Sequence, residues 1–230
     1  MTSQIPFDLG LRPALGRDDF LVTASNAAAV TMIDQWPDWP STAVLIIGAP
    51  GSGKSHLVEV FRKNSAAETV LACDLRTENV PSLLANGALV VEDCNAMGKS
   101  ETALFHALNL ARQQENTILL TADRPVPGWT LQLPDLVSRL NATPAVNILP
   151  PDDALLRGVL VKQFADRQII VGEPVITYIV QRIPRSLETV RAIVAEIDGM
   201  ALAERAEITR PYVARVLSRF TNPALFSIED

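Results

Sequence analysis

Gly48-Ala49-Pro50-Gly51-Ser52-Gly53-Lys54-Ser55 matches the pattern G-x-x-x-x-G-K-[ST], which is typical of a phosphate-binding P-loop. The apolar, β-branched run at residues 43–47 predicts a buried strand before it, and residues 56–61 predict a helix after it. A glycine-rich turn in this position directs backbone N–H groups and the helix N-terminus towards one point, which suits a polyphosphate. We therefore expect all eight residues and the adjoining His56 to line a nucleotide site, with Lys54 at the β- and γ-phosphates and the Ser55 hydroxyl on Mg²⁺.

The composition is that of a globular protein with an acidic balance. The 230 residues are 48% hydrophobic and 20% charged, which is enough for one core and a small second domain. The net charge of −6 argues against a dedicated DNA-binding surface, because phosphate contacts dominate the affinity for nucleic acid. No signal-peptide pattern and no run of membrane-spanning length occur, so we expect a soluble, cytoplasmic protein. Both cysteines, Cys73 and Cys94, end apolar runs and are expected to be buried free thiols.

Strands and helices alternate over the first 150 residues. Besides the run before the P-loop, apolar runs predict four more strands, at residues 69–73, 88–91, 117–121 and 145–149. Helical patterns fall between them, most clearly at residues 101–114. This alternation predicts an α/β core with a parallel five-stranded sheet.

The pattern changes at Pro150-Pro151-Asp152-Asp153, where a chain stop is followed by a helix start. Beyond this point helical spacing prevails, and a short strand is predicted only at residues 169–171. The domain organisation that we expect is an N-terminal tail at 1–12, an α/β nucleotide-binding core at 13–150, a small all-helical domain at 151–220 and a C-terminal tail at 221–230.

Polar residues follow two of the predicted strands. Glu92 and Asp93 end the third strand, where one carboxylate would order Mg²⁺ and the other would position an attacking water; a solvated turn is the alternative. Thr121 and Asp123 end the fourth strand, where a polar residue can sense a γ-phosphate, although Asp123 suits a turn equally well. Arg139 lies in a short predicted helix before the fifth strand, either as a surface residue or as a finger that reaches a neighbouring subunit's nucleotide.

With these parts in order, the chain resembles the AAA+ superfamily and, within it, the DnaA/Hda family, from about Asp19 to Phe220. The similarity is carried by residues 19–26, by residues 119–125, and by Ser138-Arg139-Leu140 with residues 146–151. It implies an AAA+ P-loop core followed by a helical lid, with ADP or ATP and Mg as ligands. Phe20 and Val22 would wrap the adenine, Thr121 or Asp123 would be the sensor, and Arg139 would be an arginine finger acting in trans.

Two departures from the family pattern bear on hydrolysis. The acidic pair has the order Glu92-Asp93, where most AAA+ ATPases have Asp-Glu, so we expect weak hydrolysis by this chain itself. At the lid position where the family has its sensor arginine, this chain has Glu188. Arg185 lies one turn earlier and Arg191 one turn later. We expect Arg185 or Arg191 to substitute in nucleotide binding, and a bound ADP or an altered lid rather than rapid ATP turnover.

The N-terminal segment Gln4-Ile5-Pro6-Phe7-Asp8-Leu9 is similar to the peptides that dock on the replication sliding clamp. Gln4 would hydrogen-bond backbone, while Phe7 and Leu9 would fill an apolar pocket. The chain ends shortly after Phe220, so no helix-turn-helix domain and no strong DNA binding are expected. The resemblance thus implies a regulator that, on the β clamp of DNA polymerase III, promotes hydrolysis of DnaA-bound ATP and so restrains initiation. The alternatives are a helicase loader, a DNA-acting ATPase and a small-molecule P-loop kinase, and self-association stays open.

Overall fold

The computed structural model of the chain describes residues 21–221, and the side chains of residues 21–218. The described residues divide into two compact units. One comprises residues 24–150, and the other comprises residues 151 onwards together with residues 21–23. The sequence-based boundary placed residues 21–23 with the core, whereas Leu21 packs in the second unit, where a Cβ at Gly158 would lie 2.5 Å from its Cδ1.

The first unit is a parallel β-sheet flanked by helices, as predicted. Its strand order is β2-β3-β4-β1-β5, and each described strand pair is parallel. The elements in chain order are α1 (Ala27–Asp34), β1 (Ala43–Ile47), α2 (Lys54–Ser65), β2 (Glu68–Leu71), α3 (Val80–Leu83), β3 (Ala88–Glu92), α4 (Glu101–Gln114), β4 (Thr117–Ala122), α5 (Pro134–Ala142) and β5 (Ala145–Asn147).

The three central strands β3, β4 and β1 are buried along nearly their whole length. A strand that is covered on both faces needs apolar side chains at successive positions. Its sequence is therefore a continuous apolar run and does not alternate between apolar and polar residues. Parallel strands end at the same edge of a sheet, so the segments that follow β3, β4 and β1 become neighbours there. These segments hold the Glu92-Asp93 pair, Asp123 and the P-loop, which are the parts that the sequence predicts for one site.

The second unit is a helical bundle made of α6 (Asp153–Asp166), α7 (Glu173–Val180), α8 (Leu187–Glu204) and α9 (Arg210–Thr221). Its core is apolar and includes Phe164, Ile179 and Ile193. Three of the helix starts are capped: the Asp152 side chain accepts from the Leu155 N–H (2.8 Å), the Ser186 hydroxyl from the Thr189 N–H (3.3 Å) and the Thr209 hydroxyl from the Tyr212 N–H (3.4 Å). The expected all-helical domain is thus confirmed.

Two local predictions are wrong. Residues 169–171 form no strand but an irregular connection before α7, in which Ile170 is 93% exposed. An apolar triplet becomes a strand only beside a hydrogen-bonding partner, and none of the described segments pairs with this one. Cys73 is exposed, because the chain leaves β2 at Leu71 and turns through a short 3₁₀ segment, whereas Cys94 is buried as expected.

Within residues 21–221, every helix is too short or too polar to cross a membrane.

Candidate nucleotide site and the opposite sheet edge

The P-loop connects β1 to α2 through left-handed backbone conformations that its glycines allow. Gly51 (φ 72°) and Gly53 (φ 106°) lie in the left-handed region, and Gly53 caps α2. Gly48 has no room for a side chain, since a Cβ there would lie 2.6 Å from Ser52 Oγ and 3.1 Å from Ile148 Cβ. The loop therefore curls tightly over the N-terminus of α2, as a phosphate-binding turn requires.

The polar groups of the loop are arranged for an anion. Lys54 Nζ donates to the carbonyl oxygens of Gly48 (2.6 Å) and Ala49 (3.2 Å), which holds the ammonium at the loop. Ser52 Oγ is buried without a hydrogen-bond partner among the described residues. The Ser55 side chain is exposed in the first turn of α2 and that of His56 is partly buried. A phosphate group would satisfy such a cradle, because it accepts several hydrogen bonds at once.

Burial lowers the pKa of Lys54, and the nearby Asp93, Asp123 and Glu92 carboxylates act in the opposite direction. The Lys54 ammonium thus lies within electrostatic reach of all three acids. The structure therefore brings together the P-loop lysine and the acids that the sequence places at the ends of β3 and β4.

The acidic turn after β3 is held by a buried threonine. Asp93 has a left-handed backbone (φ 55°), and its N–H donates to Thr121 Oγ1 at 3.2 Å. Thr121 has no exposed surface, and its hydroxyl holds this turn in place. Glu92 is partly buried; this burial, and then the charge of Asp93, raises the pKa of its carboxyl group.

Asp123 is oriented from two sides. Its carboxylate pairs with the Arg124 guanidinium (2.6 Å), and its N–H donates to Asn95 Oδ1 (2.9 Å). The hydrogen bond from Arg124 lowers the pKa of Asp123, so the side chain stays ionised. Asn95 was not predicted from the sequence, because an asparagine in a loop after a strand has no distinguishing pattern. It connects the turn after β3 to the turn after β4.

Arg139 lies at the other end of the sheet. On α5, its guanidinium stands over the Phe105 ring of α4, 5.1 Å from the ring centroid. It lines a cavity of about 380 Å³ together with residues 41–43, which lead into β1. The P-loop follows the end of β1, and the strand and its exit span about 16 Å at the usual rise per residue. Arg139 is therefore separated from the P-loop of its own chain by the length of the strand.

The remaining predicted site residues lie elsewhere or are not described. Arg185 belongs to the helical unit, where it pairs with Asp153 (2.8 Å) and donates to the Pro151 carbonyl (3.1 Å). Val22 belongs to that unit as well. The adenine-binding prediction for Phe20 and the clamp-binding prediction for Gln4, Phe7 and Leu9 lie outside the described residues. Glu188 is exposed in the first turn of α8.

Comparison with known proteins identifies the helical unit. Residues 153–217, which cover α6, α7, α8 and most of α9, match the family described as "Hda, lid domain". The chromosomal replication initiator protein DnaA of Cutibacterium acnes is 24% identical over 227 residues, which are 87% of this chain and 45% of that protein. The chain is thus similar in sequence to DnaA over most of its length, and its helical unit matches the Hda lid domain. It spans about half the length of the curated DnaA proteins that it matches.

Solved DnaA structures have the same fold as this chain. Domain III of Thermotoga maritima DnaA aligns with a TM-score of 0.73 at 18% identity, covering 91% of this chain and 98% of that one. AMPPCP-bound DnaA from Aquifex aeolicus aligns with a TM-score of 0.67 at 19% identity, covering 82% and 66%. The α/β unit thus has the fold of the corresponding part of DnaA, and the helical unit matches the Hda lid domain.

Proposed function

We propose that this chain is a nucleotide-binding regulator of replication initiation, which promotes hydrolysis of the ATP bound by DnaA while tethered to the sliding clamp. The observation that carries the proposal is the position of Arg139 at the sheet edge opposite its own P-loop. A guanidinium so placed has no role at its own phosphates, but it is available to a nucleotide on a second subunit. The outcome would be negative regulation of initiation in the cytoplasm.

The chain's own nucleotide, ADP or ATP, would be held by residues 48–55. The fit of a phosphate group is supported by the left-handed glycines, by the lack of room for a Cβ at Gly48, and by the Ser52 hydroxyl, which has no partner among the described residues. AMPPCP bound to the Aquifex aeolicus DnaA supports the same ligand class. Ser55 and Glu92 would hold Mg²⁺, which would supply charge neutralisation between phosphate oxygens. The order Glu92-Asp93 favours slow hydrolysis of the nucleotide at this site. The bound nucleotide would therefore serve mainly to stabilise the conformation of the chain.

The catalytic contribution would be made in trans. Charge develops on the γ-phosphoryl oxygens as the phosphoryl group leaves ADP, and a guanidinium finger that neutralises it is worth about 10³–10⁵ in rate. Arg139 is suited to this role because the Phe105 ring supports its guanidinium without consuming its N–H donors. Bound to DnaA, the chain would supply Arg139 and DnaA would supply the water-activating groups.

The clamp contact is assigned to Gln4, Phe7 and Leu9 on the sequence pattern alone. Clamp tethering would raise the local concentration of the chain where newly replicated DNA carries clamps. A variant with alanine at these three positions should lose clamp binding and the clamp-dependent part of the stimulation. Its hydrolysis rate at saturating concentrations without the clamp should be unchanged.

The decisive experiment measures hydrolysis of ATP pre-bound to DnaA, with loaded clamp, in a single turnover. Arg139→Ala should reduce the stimulated rate by about 10³-fold or more. Arg62→Ala is a matched control, because this exposed arginine lies on α2 of the same unit and its ion pair is with Glu59. Unchanged stimulation by the Arg139 variant would refute the proposed function. Salt-sensitive DNA binding with DnaA-independent turnover would instead favour a helicase loader or another DNA-acting ATPase.

A further inference from the structure

The cavity at the start of β1 is lined by a second arginine. Arg112 of α4 and Arg139 of α5 both line it, together with Ser41, Thr42 and Thr143. We propose that Arg112 and Arg139 form one oxyanion site, in which both guanidinium groups bind the terminal phosphate of a nucleoside triphosphate carried by the partner subunit. This inference rests on the proposed function and adds to it a second basic residue and a preference for a triphosphate.

Helix α4 brings the parts of this site together by its spacing. Phe105, Leu108 and Arg112 are separated by three and four residues, so they lie on one face of the helix. Phe105 supports the Arg139 guanidinium, while Leu108 and Arg112 line the cavity. The two arginines therefore line one space from two packed helices, together with Leu108 and Ala142.

The charge in this cavity is unbalanced. Among the described residues that line it, none carries a carboxylate. Neither Arg112 nor Arg139 forms an ion pair with any residue between 21 and 218. Other arginines of the chain do find carboxylates, as Arg62, Arg124 and Arg215 show. Two like charges that share a cavity repel each other, and a bound oxyanion converts that repulsion into attraction.

The shape of the donors fits a phosphate. Each guanidinium presents five N–H donors in a planar fork that matches the oxygens of a phosphoryl group. One fork covers two oxygens of the terminal phosphate at most, and a second fork reaches the third. The hydroxyls of Ser41 and Thr42 add donors on the β1 side. A diphosphate lacks the terminal group, so the paired forks would favour the triphosphate form of the partner.

The test uses Arg112→Gln, Arg139→Gln and the control Arg62→Gln in the full chain, assayed by single-turnover hydrolysis of DnaA-bound ATP at saturating protein. Arg112→Gln should slow hydrolysis about tenfold, the loss expected for one charge-assisted contact, and Arg139→Gln should slow it far more. If Arg139→Gln abolishes stimulation while Arg112→Gln equals the control, the two-arginine site is refuted and the proposed function stands. If neither variant differs from the control, both are refuted.

A binding measurement provides a readout apart from hydrolysis. Tripolyphosphate is titrated into the Lys54→Ala chain, whose P-loop lacks its lysine, and the arginine Nε–Hε signals are followed by NMR. Saturable shifts of both the Arg112 and Arg139 signals, with affinity reduced about tenfold by Arg112→Gln, are the expected result. Shifts confined to Arg139, or no saturable shift at either residue, would overturn the shared site.

Discussion

The guanidinium of Arg139 lies 5.1 Å from the centroid of the Phe105 ring, and these two residues belong to different helices. The contact fixes the direction of a long, otherwise mobile side chain relative to the sheet, because Phe105 packs against the core. A stacked guanidinium keeps its edge free for hydrogen bonds in the ring plane. Phe105 is therefore a positioning residue for Arg139.

Replacing Phe105 by leucine should weaken the finger without removing it. A cation–π contact at an exposed site is worth about 0.5–1 kcal/mol, so the stimulated hydrolysis rate should fall about 2- to 5-fold. Phe105→Tyr keeps the ring and should leave the rate near that of the parent chain. In the Arg139→Ala background Phe105→Leu should have no further effect. Equal losses for the leucine and tyrosine variants, or additive losses with Arg139→Ala, would contradict the positioning role.

Gly48→Ala should abolish nucleotide binding by distorting the P-loop. The new Cβ would lie 2.6 Å from Ser52 Oγ, 3.1 Å from Ile148 Cβ and 3.3 Å from Ser52 Cβ, so Ser52 and Ile148 must shift to admit it. We expect at least a hundredfold loss of affinity for a fluorescent ADP analogue, since several backbone hydrogen bonds to phosphate are lost together.

The matched control is Gly199→Ala in the middle of α8, where an added Cβ meets no atom within 4 Å. This variant should bind the analogue like the parent chain and gain about 1 kcal/mol in stability, because alanine favours a helix over glycine. If Gly48→Ala also bound normally, the P-loop would tolerate a side chain at its first glycine and the geometric argument would fail.

The sequence was sufficient for the features that rest on local patterns. The strand at residues 43–47 and the helix at residues 101–114 have the predicted bounds. A buried strand requires a continuous apolar run and an amphipathic helix requires apolar residues at helical spacing, and both patterns are visible in the sequence. The convergence of Glu92, Asp123 and Lys54 followed from the predicted parallel sheet, since parallel strands end at one edge.

Contacts between elements that are distant in the chain could not be predicted from the sequence. Asn95 joins two turns that are 28 residues apart, and Arg112 and Arg139 line one cavity because α4 packs against α5. The pattern of α4 did place Leu108 on its apolar face, but it did not show which helix that face would meet. The wrong strand at residues 169–171 has the same cause, since an apolar triplet is a strand only where a partner strand is supplied.

Thr121→Val should release the turn that carries the acidic pair. Valine keeps the shape of threonine in this fully buried position but has no oxygen to accept the Asp93 N–H. An unpaired, partly buried N–H costs roughly 1–3 kcal/mol, so the free energy of unfolding in urea should fall by about that amount. Amide hydrogen exchange gives the specific readout: the Asp93 N–H should exchange faster in Thr121→Val and stay protected in Thr121→Ser. Equal protection in both variants would mean that the hydroxyl does not hold the turn.

Glu92→Gln should raise the stability of the nucleotide-free chain at neutral pH. Burial and the charge of Asp93 raise the pKa of Glu92 above its ordinary 4.5, so the folded chain binds this proton more tightly than the unfolded chain does. Stability must therefore fall as the pH rises from about 4.5 through the raised folded value, and the deficit persists above it. Glutamine removes this deficit, so the two unfolding curves should coincide near pH 4 and separate in favour of Glu92→Gln by pH 7. The same variant should bind Mg²⁺-nucleotide more weakly, because an amide replaces a carboxylate ligand. A stability difference that does not change between pH 4 and pH 7 would show that the folded chain does not raise the pKa of Glu92.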